Sequence, residues 1–68
     1  MAVINGKIEN INEISLEDYL SLHNYLKDGV IVELNGEILD KDLYKNTILK
    51  NNDAVEIFMF MGGGWIKI

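Results

Sequence analysis

The chain has 68 residues, with six Lys and no Arg against eleven acidic residues, and a hydrophobic fraction of 49%. That is one small domain near the lower limit for a self-sufficient core. With one His and no Cys it has no means to build a disulfide scaffold, an iron–sulfur cluster, a multi-His metal site or a thiol nucleophile. Its formal charge of −5 opposes nucleic acid, and no apolar run approaches the ~18 residues of a membrane span, so a small cytoplasmic interaction or carrier protein is expected rather than an enzyme.

The first two predicted strands, residues 2–5 and 7–12, flank Asn5-Gly6. An Asn-Gly pair between apolar residues favours a type I′ hairpin, because both central residues need positive φ. Ser15 then supplies an N-cap, with Glu17 and Asp18 at the positive end of a helix dipole. Leu16, Tyr19, Leu20, His23 and Leu26 fall on one stripe, and Gly29 is a natural stop, so the spacing predicts a helix over 16–28. His23 on that stripe reads as a satisfied, partly buried residue rather than a catalytic one.

Residues 30–34 are β-branched and read as a central strand, turned by Asn35-Gly36 into a short return strand over 37–39. Residues 40–46 are polar and irregular, with Leu43 and Tyr44 as anchors and room for one helical turn. A brief strand over 47–49 and a turn at Asn51-Asn52-Asp53 lead into the strongest strand, 54–61. The order is ββαββ: an α+β fold in which one main helix covers one face of a two-layer mixed sheet. If the first and last strands are parallel neighbours, this is the β-grasp arrangement of ubiquitin-like proteins.

On the last strand, Val55, Ile57, Met59 and Met61 share one parity while Glu56, Phe58 and Phe60 share the other. The first set is expected to face the helix, leaving Phe58 and Phe60 on the open face as a docking surface for a partner. Gly62-Gly63-Gly64 follows at once. Three glycines add no packing and carry the largest backbone entropy cost, but they release the chain from the sheet and let it extend roughly 10 Å. Such a thread, lacking Cβ atoms, fits a narrow channel in another protein. A plain flexible linker is the other explanation of the glycines.

Asn5-Gly6, Val32-Glu33-Leu34-Asn35-Gly36-Glu37-Ile38, Asn52-Asp53-Ala54-Val55-Glu56-Ile57 and Phe60-Met61-Gly62-Gly63-Gly64 together resemble the ThiS family, the sulfur carriers of thiamine biosynthesis. The resemblance implies the ubiquitin-like β-grasp fold over residues 1–64. It further implies that a terminal glycine, Gly64 or else Gly63, is adenylated by an E1-like enzyme using ATP and converted to a thiocarboxylate. That sulfur would pass to thiazole synthase or to another acceptor serving cysteine, methionine or molybdopterin. Glu33 and Glu37, which match the family pattern, would help Phe58 and Phe60 dock the partner, with Gly62, Gly63 and Gly64 as the flexible tail. The composition agrees: without Cys, sulfur can be held covalently only on a carbonyl. No GxxxxGK[ST] motif is present, so ATP handling falls to the partner, and no bound cofactor or metal is expected.

One feature departs from the family pattern. Trp65-Ile66-Lys67-Ile68 follows the glycines, and a glycine carbonyl held in a peptide bond has no acid to adenylate. The extension, residues 65–68, is either trimmed by a protease, or foreign to the natural chain, or permanent in a relative that acts as a non-covalent β-grasp interaction module. In the uncut chain Trp65 and Ile66 are expected to fold back over Phe58 and Phe60. The acid pairs Glu17/Asp18 and Asp40/Asp42 lack the ligand count or apolar setting of a site and read as solvated surface.

Overall fold

A computed structural model of the chain describes residues 1–67. Strands β1 (Ala2–Ile4) and β2 (Lys7–Glu9) form the first hairpin, and its turn residues Asn5 and Gly6 have φ of 51° and 81°. Both central residues thus take the left-handed values of a type I′ turn. A short β3 (Ile14–Ser15) runs straight into helix α1 (Leu16–Leu22), where the Ser15 hydroxyl accepts from the Asp18 amide at 3.0 Å. A 3-10 turn at Lys27–Gly29 precedes β4 (Val30–Leu34). Next come β5 (Glu37–Ile38), a 3-10 segment at Lys41–Asn46, β6 (Ile48–Leu49), β7 (Ala54–Met61) and β8 (Gly64–Lys67).

The main sheet runs β2-β1-β7-β4-β5, with β8 also paired to β7. β1 and β7 are parallel, whereas β7 is antiparallel to both β4 and β8. β3 and β6 make a separate two-stranded ribbon beside the helix. This is the α+β, β-grasp arrangement: the first hairpin and the last long strand meet in the middle, and a single helix crosses one face. Ala2, Ile4, Val30, Val32, Val55 and Ile57 meet Leu16, Tyr19 and Leu20 of α1 in one core. Tyr44 closes its side and is only 1% exposed, while its neighbour Leu43 points outward.

Helix α1 is shorter than its apolar stripe predicts, ending at Leu22 rather than continuing to 28. Asn24 adopts φ 63°, its amide donates to the Ser21 carbonyl at 3.1 Å, and the Tyr25 amide donates to the Leu20 carbonyl at 2.8 Å. That pair of bonds is a Schellman ending with Asn in the left-handed position that glycine usually takes. Consequently Leu26 and His23, both assigned to the buried stripe, lie exposed. The His23 ring rests against Tyr19 with centroids 4.3 Å apart rather than entering the core. The second strand is also shorter than expected, stopping at Glu9, because Ile11 turns into the core and its amide is taken by the Asn51 side chain.

Candidate partner-docking face and glycine tail

β7 carries the candidate site and is gripped from both edges over its first half. On one side the Asn5 amide donates to the Val55 carbonyl at 2.9 Å, and the Asn5 Oδ1 accepts from the Ile57 amide at 2.7 Å. On the other, the Asn35 amide donates to the Ala54 carbonyl at 2.7 Å while its Oδ1 accepts from the Ala54 amide at 2.8 Å. Each Asn-Gly turn therefore does two things: positive φ reverses the strand, and the side chain satisfies a backbone group of β7. These two asparagines were legible as turn formers but not as clamps, since the partner amides are 52 and 19 residues away.

Parity along β7 runs as expected for its first half: Val55 and Ile57 are buried against the helix. Glu56, Phe58 and Phe60 point to the opposite, uncovered face, where Phe58 is half-buried and Phe60 is 58% exposed. Cross-strand partners share a face. On the open face Ile31 and Glu33 of β4 therefore stand beside Phe58 and Glu56, and Ile38 of β5 stands beside Glu33. The result is an apolar surface with two carboxylates, Glu33 and Glu56, directly opposite each other.

Glu37 does not join them. It pairs with Leu34, whose side chain packs toward the core, so Glu37 lies on the helix side of the sheet edge while Glu33 lies on the open side. The hairpin between them reverses the phase of the pleat, so equal numerical parity does not mean a shared face. Glu56 is the acidic neighbour of Glu33, and the alternation of β7 already placed it with Phe58 and Phe60.

The glycines form a turn rather than a free thread. Met61 pairs with Gly64, so Gly62 and Gly63 are the two central residues of a hairpin from which β8 returns along β7. Gly62 has φ 62°, the value a type II′ turn requires of its first central residue. Gly63 and Gly64 are different. Neither has a positive φ, and a Cβ at either would meet no atom within 4 Å. Nothing in the folded chain requires glycine at those two positions. The segment drawn from sequence as a flexible tail, Gly62, Gly63 and Gly64, is here the turn and first residue of a strand, because residues after it find an open edge on β7.

The opposite side of the sheet holds a shallow cavity bordered by Asn5, Lys7, Glu9, Tyr19, His23 and Tyr25. There the Tyr19 hydroxyl donates to Glu9 at 3.0 Å. Burial pushes the Tyr19 phenol well above its ordinary range, and the Glu9 carboxylate adds to that by accepting a hydrogen bond from the neutral phenol and by repelling a phenolate. Among the described residues there is no group of three or more metal-ligating side chains, and no helix is long and apolar enough to cross a membrane.

A β-grasp domain that leaves one sheet face open and ends its last long strand in glycines belongs to a recognisable class, the small ubiquitin-like carriers. Residues 2–64 match the family model described as the ThiS family, and the chain belongs to that family. It is 38% identical over 50 residues to the sulfur carrier protein ThiS of Bacillus subtilis, covering 74% of this chain and 76% of that protein. It is 32% identical over 62 residues to the uncharacterized protein ycf40 of Porphyra purpurea, covering 90% and 87% of the two. The crystal structure of thiamine biosynthesis protein ThiS from Geobacter metallireducens superposes with a TM-score of 0.72 at 34% identity, over 93% of this chain and 97% of that one. The family match ends at Gly64 and leaves Trp65 onward outside it.

Proposed function

We propose that this chain is a sulfur carrier whose Gly64 carboxylate, once free, is loaded with sulfur for thiamine thiazole formation. Glycine at 63 and 64, where the folded chain has no need of it, is the observation that supports this reading most directly. A residue kept small for no internal reason is small for an external one, and a partner's narrow channel is such a reason. Family membership and the end of the match at Gly64 support the same position.

The chemistry follows from the carboxylate. Water, directed by a trimming protease, hydrolyses the Gly64–Trp65 amide and leaves a free acid on Gly64 and a free amine on Trp65. A carboxylate resists sulfur nucleophiles because oxide is a poor leaving group. An E1-like enzyme therefore lets the Gly64 carboxylate displace pyrophosphate from ATP, forming an acyl-adenylate. Hydrosulfide attacks the carbonyl, AMP departs with the C–O electron pair, and a proton is released, leaving a thiocarboxylate. The acceptor, thiazole synthase, then takes the sulfur. This chain supplies the handle: Phe58, Phe60 and Glu33 on the open face, and the glycines as the reach. Glu37, at the opposite face of the edge, contributes to long-range attraction of a basic partner rather than to the same contact.

The test is mass spectrometry of Gly64-terminated protein incubated with the adenylating enzyme of its host, ATP and sulfide. The expected product is heavier by the exchange of one oxygen for one sulfur. Chain that keeps its original mass under conditions that load a known carrier overturns the proposal. The pairing of β8 with β7 favours a second reading, a non-covalent β-grasp module with a permanent tail. The intact mass of protein isolated from its native host separates the two, since only the carrier loses residues 65–68.

A further inference from the structure

In the intact chain the C-terminal strand covers part of the very surface assigned to docking. β8 pairs with β7 from Phe58 opposite Lys67 to Met61 opposite Gly64, continuing along the edge where the contacts of β1 and Asn5 end at Ile57. On the open face the Trp65 ring meets Phe60 edge-on, with centroids 5.5 Å apart. Lys67 Nζ sits 3.2 Å from Glu56 Oε1, and Glu56 lies opposite Glu33 on β4. Two like charges facing each other across strands are unfavourable, and the tail places its cation against one of them, Glu56. Ile31, Phe58 and Ile38 give the carboxylates an apolar border.

We infer that the extension is a self-bound stand-in for the docking partner. The partner presents an extended segment that pairs with the Phe58–Met61 edge, lays an aromatic side chain against Phe60, and sets a basic side chain beside Glu33 and Glu56. Until Trp65 to Lys67 leave, the intact chain excludes that segment. This rests on the open face being the docking surface, as proposed above, but not on adenylation or sulfur.

The contacts suit a displaceable cover. Trp65 is 47% exposed, and both groups of the Lys67–Glu56 pair are solvated, so each contact is weak and opens by local fraying rather than by global unfolding. Removal also uncovers something worth covering. An edge of β7 bearing Phe58 and Phe60 is a template for strand addition, the mode in which backbone hydrogen bonds give affinity and alternate side chains give selectivity.

Two measurements on the whole chain and its Gly64-terminated form test this. The first is amide hydrogen exchange by NMR. Truncation is expected to accelerate exchange within residues 58–61 by at least about tenfold while Val55 and Ile57 keep their protection, which also reports that the shortened chain is folded. Trp65→Ala combined with Lys67→Glu in the full-length chain is expected to move exchange in the same direction. The second uses a free peptide of residues 64–68 as the partner strand, titrated to millimolar concentration. Resonances of Glu56, Phe58 and Phe60 are expected to shift in the shortened chain and not in the intact one. A peptide with Ala for Trp and Glu for Lys is expected to shift neither. Unchanged exchange on truncation, or no peptide response in the shortened chain, or an equal response in the intact one, each overturns the inference. No ATP or sulfur enters these measurements, so failure of sulfur loading leaves their result standing, and the reverse.

Discussion

Along β7, β4 borders one edge from Val55 to Met59, while residues 54–57 and residues 58–61 have different neighbours on the other. The first half is closed by β1 and the Asn5 side chain, and it buries Val55 and Ile57. The second half is closed by β8, which returns through the turn at Gly62 and Gly63, and it carries Phe60 and Met61 outward. Opening the first half means separating the N-terminal hairpin from the core. Opening the second half means lifting only β8 from the edge of the sheet. A carrier needs both properties in one strand: an anchor that stays folded while the adjoining segment is handled by other proteins.

The largest effect expected from that contrast is on the anchor. Ile57→Ala empties a site that is 1% exposed and is expected to cost about 2–5 kcal/mol in urea unfolding. A cost below about 1 kcal/mol would mean that the first half is not the anchor. Asn5→Ala removes the acceptor for the Ile57 amide and replaces an Asn, which tolerates φ 51°, with a residue that tolerates it less well, for an expected loss of about 2 kcal/mol. Asn5→Gly keeps the turn and loses only the side-chain bond, so the difference between the two separates clamp from turn.

Alkaline pH gives a smaller, graded effect on the same anchor. Burial raises the phenols of both Tyr19 and Tyr44, so each is harder to ionise folded than unfolded. Their contribution is fully present below the ordinary value of 10.0 and is lost as pH climbs above it toward the folded-state values. Unfolding midpoints should therefore fall as pH rises past about 10, and Tyr19→Phe should flatten that fall. A midpoint that is level across this range, or steeper in the variant, contradicts the assignment.

The smallest effects belong to the second half of β7. Deleting Trp65 to Ile68 is expected to change global stability by no more than about 1 kcal/mol, because the contacts of Trp65 and Lys67 are exposed. A double-mutant cycle between Phe60→Ala and Trp65→Ala in thermal or urea unfolding should give a coupling of about 0.5–1 kcal/mol. Coupling near zero would leave the edge-on ring contact without energetic meaning. In the shortened chain Phe60→Ala should leave the unfolding midpoint in place while lowering kcat/KM for sulfur loading, since that side chain stands exposed on the proposed docking face.

Much of the fold was written locally. Asn5-Gly6 and Asn35-Gly36 demanded type I′ turns, Ser15 capped the helix, and the alternation of β7 separated Val55 and Ile57 from Phe58 and Phe60. The misreadings also have local causes. The apolar stripe through His23 and Leu26 continues past a helix that Asn24 ends, because Asn can take the left-handed conformation that glycine usually supplies. Glu33 and Glu37, grouped by the family pattern as one docking set, lie on opposite faces because the turn between them shifts the phase of the pleat. Glycine at 62–64 correctly marked the end of the last core strand, but not what followed it.

Residue identity settles whatever depends on a single residue's φ, its hydrogen-bonding side chain or its place in a short period, which here covers the turns, the cap and the buried parity of the strands. The parallel meeting of β1 with β7, the reach of Asn5 across to Ile57 and the return of the tail as β8 depend instead on which strand edge stands vacant after the rest has packed. An unfilled row of backbone donors and acceptors takes whatever extended segment is near, and nearness is a property of the assembled chain rather than of any stretch of it.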